Sequence, residues 1–145
     1  MDRVVLDPAV LVSALITPSG NPALLWQAVR DRRLALVTSP RLLGELAGVL
    51  ARPKFRRYVT EEEAEEFVSE VARLGTAFPD SPEPERVSRD PSDDYLIALA
   101  RSTASRAVVS GDRDLTELPD PDPPVLTGRS GHASAVSARR ARAGR

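Results

Sequence analysis

Hydrophobic positions along this chain fall into two kinds of run that take turns. Residues 3–6, 34–37 and 107–109 are short, continuous apolar stretches closed by charged or turn residues, which is how strands buried in a parallel sheet read. Between them the apolar positions recur at helical spacing. Pro8 opens one such pattern with Val10, Leu11, Ala14 and Leu15, and residues 23–30 follow after a turn cluster at 17–22. Ser39 and Pro40 supply a cap and a first-turn proline for a helix to about residue 51 that carries Leu42, Leu43, Leu46, Val49 and Leu50. Thr60 with Glu63 forms a capping box ahead of Ala64, Phe67, Val68, Val71 and Leu74, so residues 60–74 form a further helix, ended by Gly75. Residues 76–78 read as a short strand and 79–85 as a proline-rich connector. An apolar helix then begins near Asp93 and Asp94, and a last strand is expected at 125–127 beyond a proline/aspartate loop. Strands alternating with helices predict an α/β fold, a three-layer α/β/α domain with a mainly parallel central sheet. The domain is expected to span residues 1–127, with 128–145 a basic, weakly ordered tail.

Composition narrows the chemistry. At 145 residues, 41% hydrophobic and 28% charged, the chain suits one domain with a real core. Its net charge of -1 conceals acids gathered between Thr60 and Asp94 and arginines at 139, 140, 142 and 145, so a local basic surface remains open to a polyanion. The absence of cysteine excludes disulfides, thiolate catalysis and the usual structural zinc sites. A lone histidine, His132 in the tail, argues against a His-based triad. Residues 4–6 are stopped by Asp7 and Pro8, unlike a signal peptide, and no apolar run spans a bilayer. A cytoplasmic protein without a membrane partner is expected.

Carboxylates mark the expected strand ends. Asp7 closes the first strand, where it is equally readable as a helix cap. Asp112 and Asp114 follow the 107–109 strand through Ser110-Gly111, at the edge where open α/β sheets place ligands. Asp93 and Asp94 sit where a helix dipole favours acids anyway. Glu45 borders the apolar face of its helix, which suits a metal ligand or the partner of a nearby arginine. In the expected architecture Asp7, Glu45, Asp93 and Asp112 can converge. A carboxylate set without nitrogen or sulfur suits Mg²⁺ or Mn²⁺, and two such ions about 3.5–4 Å apart can hydrolyse a phosphodiester. The loop at 52–58, with Phe55 and Tyr58, could hold phosphates or simply complement a helix C-terminus. Trp26 reads as core, with base stacking the alternative.

Taken together, V-V-L-D at 4–7, S-P-R-L-L-G-E-L at 39–46, R-P-K-F at 52–55, D-P-S-D-D-Y-L-I-A-L-A at 90–100 and V-S-G-D-R-D-L at 109–115 resemble a PIN domain, over roughly residues 3–127. The branch they are most similar to is the toxin component of type II toxin–antitoxin systems, the VapC-type ribonucleases. That resemblance implies a metal-dependent endoribonuclease, homodimeric, acting on RNA and inhibited by a cognate antitoxin. It assigns Asp7, Glu45, Asp93 and Asp112 as the four acids, with Asp94 and Asp114 as second-choice metal ligands. One departure stands out: Pro8-Ala9 replaces the Thr-Asn that usually follows the first aspartate, removing groups that orient it. The rival expectation is therefore a PIN-like module that binds RNA or an antitoxin with little or no turnover. Other phosphoryl chemistries lack their signatures. Ala9 stands where an aspartyl phosphatase needs a second acid, the lone Lys54 is misplaced for a receiver domain, and no Gly-Lys-Ser/Thr loop occurs.

Overall fold

The computed structural model describes residues 1–82, 94–111 and 123–127. β1 (Asp2–Leu6) leads through α1 (Pro8–Ile16) and α2 (Asn21–Arg30) to β2 (Leu34–Thr38). Next come α3 (Pro40–Leu50), a 3-10 turn (Pro53–Phe55), α4 (Glu61–Leu74) and β3 (Thr76–Ala77), then α5 (Asp94–Ser102), β4 (Ala107–Val109) and β5 (Val125–Leu126). The five strands form one all-parallel sheet in the order β3-β2-β1-β4-β5.

That order explains where a site can form. From β1 the chain moves outward to β2 and β3, then returns across the sheet to β4 on the other side of β1. With right-handed crossovers, α1 to α4 cover one face and α5 the other, which gives the three-layer α/β/α sandwich. The two directions diverge between β1 and β4, and the crevice beyond their C-terminal ends is where such sheets bind ligands. Register pairs Leu6 with Val109, and the Asp7 N–H continues the ladder onto the Val109 carbonyl at 2.9 Å. Asp7 and Ser110 therefore lie side by side at that crevice.

The core explains the pattern of the sequence. Val5, Leu6, Leu36 and Val108 are buried in the sheet because both of its faces are covered. Leu11, Leu25, Leu42, Leu46 and Val71 seal one face, while Leu96, Ile97 and Leu99 of α5 lie buried by β1 and β4. Trp26 is only 5% exposed and meets Phe67 edge-on at 5.4 Å, which places it in the core and withdraws base stacking. The capping box forms as expected, with Thr60 Oγ1 accepting from Glu63 N and Glu63 Oε1 accepting from Thr60 N, both at 3.0 Å.

Two helix ends depart from residue preference. After α2 the Arg33 N–H reaches the Ala28 carbonyl, and after α5 the Ser105 N–H reaches the Ala100 carbonyl, both 2.9 Å. These are Schellman endings, which favour glycine in the left-handed position; here Arg32 (φ 58°) and Ala104 (φ 53°) occupy it. No single described helix is long and apolar enough to cross a membrane; α1 and α2 meet the criterion only jointly, across a 97° bend.

Candidate active site at the β1/β4 crevice

Asp7 follows β1 directly and is 8% exposed. Its Oδ1 accepts from the Ala9 N–H at 2.9 Å, capping α1, and its Oδ2 accepts from Ser110 Oγ at 2.8 Å. Cap and ligand therefore cease to be rival readings. Each carboxylate oxygen has two lone pairs, so these bonds fix the plane of the group without exhausting its capacity to accept. Pro8 suits the first helical position because its missing N–H would have no helical partner.

Glu45 arrives from α3, which Ser39 caps by accepting from the Leu42 N–H at 3.2 Å. Leu42 and Leu46 are buried, so the helix presents Glu45 at the rim of its apolar face, as its spacing predicts. Tyr95 Oη donates to Glu45 Oε2 at 2.9 Å, and Arg41 Nε lies 3.6 Å from Oε1. The Arg41 guanidinium also lies over the Tyr95 ring, 4.3 Å from its centroid. The arginine partner foreseen for Glu45 thus exists, and a buried phenol joins it. Burial, then the hydrogen bond and charge of Glu45 and the charge of Asp7, hold the phenol far above the ordinary tyrosine range, with Arg41 opposing. Tyr95 is therefore a standing donor, and both acids act on it.

Asp94 opens α5 and is 1% exposed, where the helix N-terminus favours its charge. Of the other expected ligands, Asp93, Asp112 and Asp114 lie outside the described residues, as does the 128–145 tail. Among the described residues, no group of three or more His, Cys, Asp or Glu side chains is arranged to hold a metal ion. What they do supply is hard oxygen donors, Asp7 rigidly oriented and Glu45 braced, and that donor chemistry fits Mg²⁺ or Mn²⁺.

Of the basic loop, Arg56 donates to the Leu50 carbonyl at the end of α3, the helix-complementing role. Phe55 packs against the core, whereas Tyr58 is exposed beneath the Arg57 guanidinium. A groove of about 430 Å³ between α3 and α4 is lined by Ala47, Leu50, Ala64 and Val68, and none of Asp7, Glu45 and Asp94 borders it. Sequence reasoning missed Ser110, Tyr95 and Arg41. Ser110 was within reach, since it follows β4 as Asp7 follows β1.

An acid seated at the switch point of an all-parallel α/β sheet, with a second acid held by Tyr95 and Arg41, marks the edge at which sheets of this class take their ligands. A sequence model of the PIN domain matches residues 3–114. The chain is 30% identical over 125 residues to the uncharacterized protein MJ1680 of Methanocaldococcus jannaschii, covering 81% of this chain and 76% of that one. Among solved structures, PAE2754 from Pyrobaculum aerophilum matches with a TM-score of 0.65 at 17% identity, over 94% of this chain and 90% of that one. VapBC2 from Rickettsia felis, bound to a DNA fragment from its promoter, matches with a TM-score of 0.57 at 12% identity, over 86% and 98%. The protein belongs to the PIN-domain family, whose members are generally nucleases.

Proposed function

We propose that this protein is a metal-dependent endoribonuclease, the toxin of a type II toxin–antitoxin system, hydrolysing RNA phosphodiester bonds at the β1/β4 crevice. The observation that carries the reading is Asp7, buried and oriented by Ser110 and the Ala9 N–H at the switch point of a PIN-family sheet. Asp7, Glu45, Asp93 and Asp112 would hold Mg²⁺ or Mn²⁺, with Asp94 and Asp114 as further ligands. When bound, such ions supply the Lewis acidity that hydrolysis of a phosphodiester by water requires. The protein's part is positional. Ser110 and the α1 N-terminus fix Asp7, Tyr95 braces Glu45, and the basic loop at 52–57 offers charge to the RNA backbone. A cytoplasmic homodimer with an antitoxin partner completes the reading. The likeness to the fold found in the Rickettsia felis VapBC2 assembly supports it.

A second reading, a PIN module that binds RNA or antitoxin without turnover, is favoured by one observation. Where the family places Thr-Asn, this chain has Pro8 and Ala9, whose side chains carry no polar group, and the Ala9 backbone N–H orients Asp7 instead. Incubating an RNA pool with Mn²⁺ and the parent protein, Asp7→Asn or Asp112→Asn separates the two. The nuclease reading expects cleavage that EDTA and either substitution abolish. Cleavage indifferent to metal and to both substitutions would defeat it, whereas RNA retention without cleavage would favour the second reading.

A further inference from the structure

Glu45 is held from two sides by unlike groups, and the difference has a consequence if Glu45 is a metal ligand, the reading on which this inference rests. Tyr95 is 2% exposed, on a helix whose Leu96, Ile97 and Leu99 are buried, so its phenol is fixed in place. Arg41 stands one helical turn before Glu45 on a flexible stem, its side chain 41% exposed. The phenol engages Oε2 as a neutral donor, whereas the guanidinium brings a full positive charge to Oε1. A carboxylate can keep a hydrogen bond on one oxygen while the other binds a cation. It gains little from two cations competing for the same side.

We infer that Tyr95 is a positioning residue that aims Glu45 at a divalent cation, and that Arg41 is a resident counter-ion which that cation displaces. Removing the two side-chain groups therefore has opposite effects. Loss of the phenolic hydroxyl frees Glu45 to rotate and weakens cation binding, as loss of an orienting partner does. Loss of Arg41 removes a competitor whose hold, at an exposed ion pair, is slight. Arg41 also stacks on Tyr95, so it has a resting place once displaced.

Mn²⁺ binding to the full chain, measured by calorimetry without RNA, tests this. Tyr95→Phe keeps the ring and should lower Mn²⁺ affinity about ten-fold. Arg41→Ala should raise it about two- to five-fold. In a Glu45→Ala background neither change should move affinity by more than about two-fold. Affinity unchanged in Tyr95→Phe, or lost equally without Glu45, overturns the positioning role; affinity lowered in Arg41→Ala overturns the counter-ion role. Arg41→Ala carries the test at a half-exposed site if the buried substitution fails to fold. A parent protein that binds no Mn²⁺ overturns the metal reading and this inference with it. Binding with the expected pattern but no RNA cleavage overturns the nuclease reading alone.

Discussion

Ser110→Ala deletes one hydroxyl at the C-terminal end of β4, where Ser110 is fully buried and donates to Asp7 Oδ2 at 2.8 Å. Asp7 is 8% exposed, so water replaces the lost donor poorly. A hydrogen bond to a charged group contributes about 1.5–3 kcal/mol, against about 1 kcal/mol between neutral groups. The substitution should therefore cost about 2 kcal/mol at neutral pH, lowering Tm by about 8 °C in a domain of this size. The cost depends on the charge of Asp7, which gives an internal control. In an Asp7→Asn background the same substitution should cost about 1 kcal/mol or less. Urea unfolding of all four proteins, followed by circular dichroism, measures both figures. A cost under about 0.5 kcal/mol, or one equal in both backgrounds, would refute the claim that Ser110 anchors a charged Asp7.

The remaining predictions concern stability away from the crevice. Thr60→Ala removes the α4 cap and should cost about 1 kcal/mol in urea unfolding. Hydrogen bonds from the Thr60 backbone and side chain hold the Glu63 carboxyl below its ordinary value near 4.5. Its contribution is therefore present above that value and lost as pH falls through the lowered one. Glu63→Gln should accordingly be less stable than the parent at pH 7, and the gap between their urea midpoints should close under acid; a gap that widens would reverse the sign. Ala104→Gly relieves a left-handed alanine (φ 53°) and should raise stability by about 1 kcal/mol, whereas a lower Tm would show that the turn does not carry that strain.

Apolar patterning made the fold legible because the central strands β1, β2 and β4 are mostly buried and the helices turn apolar residues to the core, whereas the short edge strands β3 and β5 are exposed or half-buried. Residues 3–6 and 34–37 became β1 and β2 with boundaries moved by one residue, and the Thr60–Glu63 box placed the start of α4. The turns after α2 and α5 were harder to read, because Arg32 and Ala104 hold a conformation that glycine normally signals. The site was legible in its acids and not in their supports. Asp7 and Glu45 are charges that need a reason to be near a core. Tyr95, in contrast, is indistinguishable from core by its helical spacing, and its hydrogen bond to Glu45 joins α5 to α3 across 50 residues. Only tertiary structure shows which chain segments meet there. Asp93, Asp112 and Asp114 rest on motif alone, outside the described residues.

The sheet order also bears on synthesis. Asp7 is held by a hydroxyl 103 residues further along the chain, and β1 is flanked on that side by a strand made just as late. A growing polypeptide can form β1, α1 and β2 early but cannot close the crevice until β4 has cleared the ribosome. The crevice beside Asp7 is therefore among the last parts of the described fold to be completed as the chain is made.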